Sequence, residues 1–564
     1  VVTPLGLTAV ELIPGQLLPA IPVVMVLISL LAALVIFPLA EQQVRLRSWV
    51  NILAAALKVL LIALLVPAVV TEDLRPEFSA PFLPGIDLVL RVDPLALFFA
   101  GLSAVLWLLT TIYAIGYLEG KPHRSRFFGF FSLCVTATVG ISFSGNLITF
   151  LVFYELLTLV TYPLVAHWGT AASVHAARVY LRYALGGGVA VLLGVVWLTM
   201  EVGAVDFAEG GAEQVAELAA AHPGTAVVIF ALLVGGMGVK AALVPLHSWL
   251  PMAMVAPAPV SALLHAVAVV KAGVFGIVRV VDDVYGIEVA WELGVLTPLL
   301  VVASFTVIYG SYQALRQTEI KKRLAFSTVS QVSYVVLGVT MFSVAATAGG
   351  VVHLVHQGIM KITLFFCAGL FAESLGAHSI HQLRGAGRRM PWTSAAFTVG
   401  AFGMIGLPPT AGFISKWQLG LGALDSPHPW VLAVLVVSSL LNAAYFLPVV
   451  YALWFAEPHR AEPSAESAAE HSSSSDDPAG GQQRGDLSAD QQVTVPAGST
   501  GDVHDAAPAV PEQDHDDDVS IREPRTLLVP ALVTAACTLA VGVAASLTFA
   551  PLEVARFIAE GVFS

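Results

Sequence analysis

Five lysines of this chain stand in stretches that otherwise hold almost nothing but apolar side chains: Lys58, Lys240, Lys271, Lys361 and Lys416. An ammonium at the centre of a membrane helix costs about 2.5–3.5 kcal/mol on insertion scales, so each needs a partner, a water-filled cavity or a route to the interface. Burial in general weakens an amine's hold on its proton, which turns a buried lysine into a proton carrier and a series of them into a relay. One carboxylate accompanies them, Glu155 in Thr149-Phe150-Leu151-Val152-Phe153-Tyr154-Glu155-Leu156-Leu157-Thr158. A glutamate moving toward or away from a buried lysine acts as a switch on that lysine's proton, whereas a static pair only ties two helices together.

Histidines add stations, because imidazole gives and accepts a proton near neutral pH. His353 and His356 lie one turn apart, with Lys361 two turns from His353 on broadly the same side, and His265 precedes Lys271. A lone membrane histidine is more often a packed hydrogen-bonder; beside a buried lysine it reads as a secondary relay candidate. Lys58 has no such companion, and the expectation is that it snorkels to the interface or meets a neighbouring subunit.

Lys240 is followed at Pro245 by a residue that removes a backbone donor, so a helix break is expected just beyond the lysine. Lys416 has the same setting, with Gly406-Leu407-Pro408-Pro409-Thr410-Ala411-Gly412 just ahead of it, so Pro409 marks a second break. Broken helices at membrane depth line cavities, and their freed carbonyls coordinate cations or water.

The elements that must position these groups follow from composition. Of 564 residues 57% are hydrophobic and 12% charged, with a mean hydropathy of +0.82. Soluble domains carry about 25% charged residues, so an ordinary soluble enzyme is excluded. Apolar runs long enough to span a bilayer give an all-α polytopic membrane protein with about 14 spans. These fall near 18–39, 50–70, 94–117, 127–144, 147–168, 178–200, 225–246, 257–281, 291–313, 325–345, 349–372, 393–424, 429–456 and 526–550. The interrupted spans are the seventh and twelfth, and their odd separation suggests an internal repeat of inverted topology. The opening Val1-Val2-Thr3-Pro4 lacks a basic leader, so the first span is expected to be a true crossing.

With the N-terminus outside, the inside loops hold Arg45, Arg47, Lys121, Arg124, Arg126, Arg178, Arg182, Arg316, Lys321, Lys322, Arg323, Arg384, Arg388 and Arg389, against Arg75, Arg91, Arg279 and Arg556 outside. This is a positive-inside bias with both termini facing outward. The net charge of -12 comes from one segment: Glu457 to Pro524 holds 16 acidic residues against Arg460, Arg484 and Arg522. Residues 457–525, rich in Ser, Asp, Ala, Pro and Gly, are expected to be a disordered inside loop, a solvated linker. No basic stripe exists for nucleic acid. Cys134, Cys367 and Cys537 lie singly in apolar runs, and no nucleotide loop or iron–sulfur set is present, so no cofactor is expected.

Together these segments resemble the antiporter-like family shared by Mrp-type multisubunit cation/proton antiporters and the proton-pumping subunits of respiratory complex I. The stretches that carry the resemblance are Phe153-Tyr154-Glu155; Lys240-Ala241-Ala242 through Pro245-Leu246-His247-Ser248-Trp249-Leu250-Pro251; Ser261-Ala262-Leu263-Leu264-His265; Lys321-Lys322-Arg323-Leu324-Ala325-Phe326-Ser327-Thr328; and Pro409-Thr410-Ala411-Gly412-Phe413-Ile414-Ser415-Lys416-Trp417. The resemblance implies two inverted five-helix repeats with breaks in spans 7 and 12. On that reading 1–124 is an N-terminal three-helix segment, 125–285 and 286–456 are the repeats, 457–525 is the acidic loop, and 526–564 is the last span and C-terminus. It further implies that Glu155 modulates Lys240, followed by Lys271, by His353 or Lys361, and by terminal Lys416.

Lysine rather than glutamate at 416 looks like D-type subunits of Mrp antiporters; the acidic 457–525 insert departs from that pattern. The implied role is a non-enzymatic secondary transporter subunit of a bacterial cytoplasmic membrane, exchanging Na+ for protons, with other antiporter subunits and the lipid bilayer as partners. The rival readings are a pumping subunit of a complex I-like oxidoreductase or membrane hydrogenase, and a non-conducting scaffold. No sodium site is legible, since carbonyls and hydroxyls leave little signature.

Overall fold

A chain crossing hydrocarbon must satisfy its backbone N–H and C=O groups internally, and for runs of this length the helix is the local solution. The computed structural model, whose described residues are 18–457 and 521–563, contains twelve helical segments long and apolar enough to cross a membrane. In chain order they comprise α1 (Ile21–Ile36, with a preceding turn from Leu18), α2 (Val44–Val70), α3 (Pro94–Tyr117), α4 (Arg124–Ser142), α5 (Leu147–Val165) and α6 (Ala171–Val202). The short α7 (Glu213–Ala221) leads into α8 (Pro223–Lys240), and the next segment, Ala258–Tyr285, contains α9 (Ala258–Ala266) and α10 (Val269–Arg279). The rest are α11 (Leu296–Leu315), α13 (Val344–Leu375), α16 (Val431–Trp454) and α17 (Arg525–Val543), interleaved with α12 (Ile320–Thr340), α14 (Pro391–Ile405), α15 (Ala411–Asp425) and the short α18 (Pro551–Val562).

The two expected spans outside this set coincide with helices that are more polar or interrupted. The span at 325–345 falls on α12, whose first turns carry Lys321, Lys322 and Arg323, and the span at 393–424 falls on α14 and α15, separated by Gly406 to Thr410. Three features differ from the sequence reading. The all-α expectation omits an antiparallel hairpin, β1 (Glu77–Leu83) and β2 (Ile86–Arg91), turned at Pro84-Gly85 with Gly85 at φ +77°. The span at 257–281 is not one helix, because the chain leaves helical geometry at Val267 and Ala268, whose N–H groups both turn back to the Leu263 carbonyl. The last span ends at Val543 rather than 550, and a separate amphipathic helix follows it. The expected acidic loop lies, over 458–520, outside the described residues, as do residues 1–17.

Burial orders the bundle. The spanning windows of Ala258–Tyr285 and of α13 are wholly buried, whereas in α6 only a third of the window is, so the two segments carrying His265, Lys271, His353, His356 and Lys361 form the axis. The outer helices turn Leu440, Met200 and Leu53 outward, as lipid-facing helices do. Backbones meet where glycines line the seams: a methyl group on Gly236 of α8 would lie 2.5 Å from the Gly187 carbonyl oxygen of α6. One on Gly273 of α10 would lie 2.3 Å from the Ala241 nitrogen, so α10 is pressed against the turn that follows Lys240.

Candidate functional site

Lys240 is the last residue of α8, and the chain then runs in turns through Ala241 to Ser248, with a cis Val244–Pro245 bond, before Trp249 resumes a short helical turn. A cation is favoured there by the unpaired carbonyls of a helix C-terminus. Its amine is fully buried, donates to the Tyr154 carbonyl of α5 at 2.5 Å and sits 3.2 Å from the centre of the Tyr154 ring. Glu155, the next residue, is a Coulombic neighbour of Lys240, but among the described residues no ion pair joins them, and its Oε1 is buried without a hydrogen-bond partner. The carboxylate packs instead on Gly188 of α6, where a Cβ would lie 2.2 Å from Oε1. The carboxylate thus stands beside an amine that is held by other groups.

That contact gives a test. Gly188→Ala must push the carboxylate aside, and a displacement of about 1 Å at a reacting group costs up to about 100-fold. Proton exchange per assembled complex is expected to fall at least about tenfold in Gly188→Ala, measured beside Glu155→Gln. Unchanged exchange in Gly188→Ala would detach the position of Glu155 from transport.

Downstream, Lys271 of α10 donates to the Leu354 carbonyl of α13 at 2.7 Å, one residue from His353. The contact at Gly273 sets the backbone two residues on from Lys271 against the Lys240 turn, while each amine bonds a different carbonyl. His353 lies within Coulombic reach of both Lys271 and Lys416, and its Nδ1 is 2.8 Å from the Ser415 hydroxyl on α15. Lys416, the next residue, donates to the Met404 and Ile405 carbonyls at the C-terminus of α14, both at 2.9 Å, and to Ser439 at 3.2 Å. Both lysines thus stand beside a helix break, Lys240 as the last residue of α8 and Lys416 with its amine on the carbonyls that end α14, at the negative end of that helix dipole. Pro409, after a cis bond, begins the turn that returns the chain toward Lys416.

Lys361 forms a side arm, bonded to the Leu324 carbonyl at 3.2 Å and the Ser327 hydroxyl at 2.5 Å on α12, within reach of Lys271 and His265. The His265 ring lies against Phe365, centres 4.7 Å apart and tilted by 32°, and among the described residues neither of its nitrogens has a protein partner. His356 faces the Ala411 backbone without a well-formed hydrogen bond. The sequence reading missed Ser327, Ser415 and Ser439, whose hydroxyls meet Lys361, His353 and Lys416 respectively; serine alone carries no signal of that placement. Lys58 corrects an expectation: it neither snorkels nor faces a neighbour, being fully buried, with its amine 2.6 Å from the Ser29 hydroxyl. Arg279, placed outside from the sequence, is likewise buried and paired with Asp93 and Asp283, both at 2.6 Å. Among the described residues no group of three or more His, Cys, Asp or Glu is placed to hold a metal.

Residues 144–442 match the family model described as NADH:quinone oxidoreductase/Mrp antiporter, TM, and residues 84–128 match that of NADH-Ubiquinone oxidoreductase (complex I), chain 5 N-terminus. The NADH-quinone oxidoreductase subunit N of Desulforudis audaxviator (strain MP104C) is 38% identical over 379 residues, 65% of this chain and 72% of that protein. The D-type subunit of the Na(+)/H(+) antiporter of Bacillus subtilis (strain 168) is 25% identical over 445 residues, 78% of this chain and 89% of that protein. A chain in the solved structure of the Mrp complex from Dietzia sp. DQ12-45-1b is 24% identical and superposes with a TM-score of 0.79, covering 97% of this chain and 98% of that one, a likeness of fold. The chain is a multi-pass membrane protein that belongs to the NADH:quinone oxidoreductase/Mrp antiporter family of antiporter-like, proton-translocating subunits.

Proposed function

We propose that this chain is the proton-carrying D-type subunit of a multisubunit Na+/H+ antiporter in a bacterial cytoplasmic membrane, admitting protons in exchange for sodium moving out. The observation that carries the reading is the run of buried basic groups through the bundle axis: Lys240 beside Glu155, then Lys271 and His353, with Lys416 within Coulombic reach of His353. Groups so spaced pass a proton when each is loaded and emptied in turn, and a change in the Glu155 to Lys240 separation biases the first transfer. Lysine at 416 and the extent of the match to a D-type antiporter subunit support this choice. The reading includes fourteen crossings, two inverted repeats at 125–285 and 286–456, and the end bearing Arg47, Arg124 and Lys321 inside. Sodium is bound by groups of the assembled complex, with no step assigned to this chain.

The second reading, a pumping subunit of a redox-driven complex, is favoured by the 38% identity to a quinone oxidoreductase subunit N. One experiment separates them. Everted vesicles carrying the whole complex are given a sodium pulse without any electron donor, and internal pH is followed. Sodium-dependent proton movement is the expected result; proton movement seen only with a redox substrate would overturn the antiporter reading in favour of the second.

A further inference from the structure

α12 carries polar side chains through the buried middle of the bundle, and several have an evident partner. Ser327 holds Lys361, Ser330 meets the Ser311 hydroxyl at 2.8 Å, and Ser333 donates to the Val329 carbonyl at 3.0 Å. Gln331 and Tyr334, one turn apart on the same face, differ from these. Both are fully buried, and among the described residues neither side-chain amide atom of Gln331 nor the Tyr334 hydroxyl has a hydrogen-bond partner. A buried polar group is ordinarily paired with protein or with ordered water, because a bare one forfeits its hydration and gains nothing.

The surroundings of these two side chains place them between two members of the relay. The Tyr334 ring lies against the His353 ring, centres 5.1 Å apart and tilted by 31°, and the Lys416 amine stands 5.5 Å from the centre of the same tyrosine ring. A ring face attracts a cation within about 6 Å, so Tyr334 favours the proton on the lysine. Its hydroxyl faces Gln331 and, on α16, Ser438 and Ser439, without a well-formed hydrogen bond to any of them. Ser439 in turn takes a bond from Lys416 at 3.2 Å. On the other side His353 faces the Gln331 backbone; its Nδ1 is engaged with Ser415, and its Nε2 has no partner among the described residues. The unpartnered atoms, His353 Nε2, Gln331 Oε1 and Nε2 and Tyr334 Oη, thus belong to side chains that adjoin one another. A buried water needs roughly two to four polar partners, and this group supplies them.

We propose that Tyr334 is the positioning residue of the last transfer: its ring sets His353 and Lys416 against one surface, and its hydroxyl, with Gln331 and Ser439, holds the water through which the proton crosses from imidazole to amine. In each passage the Nε2–H bond of a protonated His353 breaks as the water takes that proton. An N–H bond forms on the neutral Lys416 amine as the same water gives up another, leaving a neutral imidazole, an unchanged water and an ammonium. The proposal rests on the relay reading above for its donor and acceptor, while the contacts of Tyr334 stand without it.

The test follows sodium-pulse exchange by the whole complex in everted vesicles, at matched assembly, in ordinary and in heavy water. Tyr334→Phe keeps the ring and removes the hydroxyl. It is expected to lower the maximal rate about tenfold and to leave the KM for sodium unchanged, since a poorly placed relay group slows the transfer and not the binding. Its solvent isotope effect is expected to exceed that of wild type, because the proton step becomes the slow one. Gln331→Leu, which removes the other holder of the water, is expected to behave like Tyr334→Phe. Tyr334→Leu, which removes the ring as well, is expected to lose about 100-fold. A wild-type rate or an unchanged isotope effect in Tyr334→Phe, or a Tyr334→Leu no slower than Tyr334→Phe, would overturn the proposal. So would a loss confined to assembly, with wild-type exchange per complex, which is what a packing role alone predicts. If Tyr334→Leu does not assemble, Tyr334→Phe and Gln331→Leu decide. Lys416→Ala measured in parallel separates the two readings: if it abolishes exchange while Tyr334→Phe matches wild type, the positioning role fails and the relay stands; if it leaves exchange intact, the relay itself fails.

Discussion

Lys240→Ala is expected to lower sodium-coupled proton exchange by about 100-fold or more per assembled complex, the loss typical of removing a group that itself takes and gives the proton. Among the described residues the amine is bound through the Tyr154 carbonyl and ring and makes no ion pair with Glu155 beside it, so alanine removes the acceptor without unseating a salt bridge. Lys416→Ala is expected to act to the same extent, because its amine is the one that the carbonyls ending α14 and the Ser439 hydroxyl hold next to His353. Lys240→Arg is expected to leave exchange as low as alanine does, since a guanidinium fills the place and keeps the charge yet does not give up its proton near neutral pH. A purely electrostatic role for Lys240 predicts the reverse, an arginine variant near wild type. The assay is the sodium-pulse measurement in everted vesicles, normalised to complex recovered by affinity capture. Exchange persisting in both alanine variants would remove the lysine pathway altogether.

Much of this candidate site was legible because the membrane penalises charged residues. Lys240, Lys271, Lys361 and Lys416 stand out from apolar surroundings with no structure at all, and Pro245 and Pro409 announce the helix ends that α8 and α14 in fact make nearby. The break between α9 and α10 left no such mark. Between Ala266 and Val269 there is neither glycine nor proline, and the turn exists because α9 and α10 pack separately, α10 on the Lys240 turn through Gly273 and α9 on α13. Lys58 was misread for a related reason: hydropathy along α2 does not tell which face is inward, and Ser29, which receives the amine, and Thr136, which bonds that same serine, are far from it in sequence. The hairpin β1–β2 was passed over because its two strands together are no longer than a short span and carry charges at their ends, Glu77 and Arg91, which the fold pairs across the register at 2.5 Å.

Arg279→Met is expected to destabilise the assembled protein by about 3–5 kcal/mol, the range for breaking a buried ion pair from one side. The guanidinium is buried at the end of α10, eight residues after Lys271, and joins Asp283 on the following turn to Asp93 at the start of α3. Asp93 Oδ2 takes the arginine while Oδ1 caps the Ala96 N–H at 2.8 Å, so the pair fixes the register between the helix carrying Lys271 and the helix carrying Trp107. Methionine fills much of the space and keeps contact with Phe207 and Phe275, whose rings lie 5.2 and 5.1 Å from the guanidinium carbon, but leaves two carboxylates facing each other beside Asp282, whose oxygens have no hydrogen-bond partner among the described residues. If that uncompensated charge is the cost, Arg279→Met with Asp93→Asn and Asp283→Asn should recover most of the lost stability, since asparagine keeps the cap on α3 and carries no charge. If packing of the guanidinium on the two phenyl rings is the cost instead, the triple variant should be no better than the single one. Thermal unfolding of the detergent-solubilised complex, read by the fraction remaining assembled after heating, decides between them. Because Arg279 holds α10 in place without touching the relay, the triple variant is also expected to regain sodium-coupled exchange along with its stability, which a direct role for Arg279 in carrying protons would forbid.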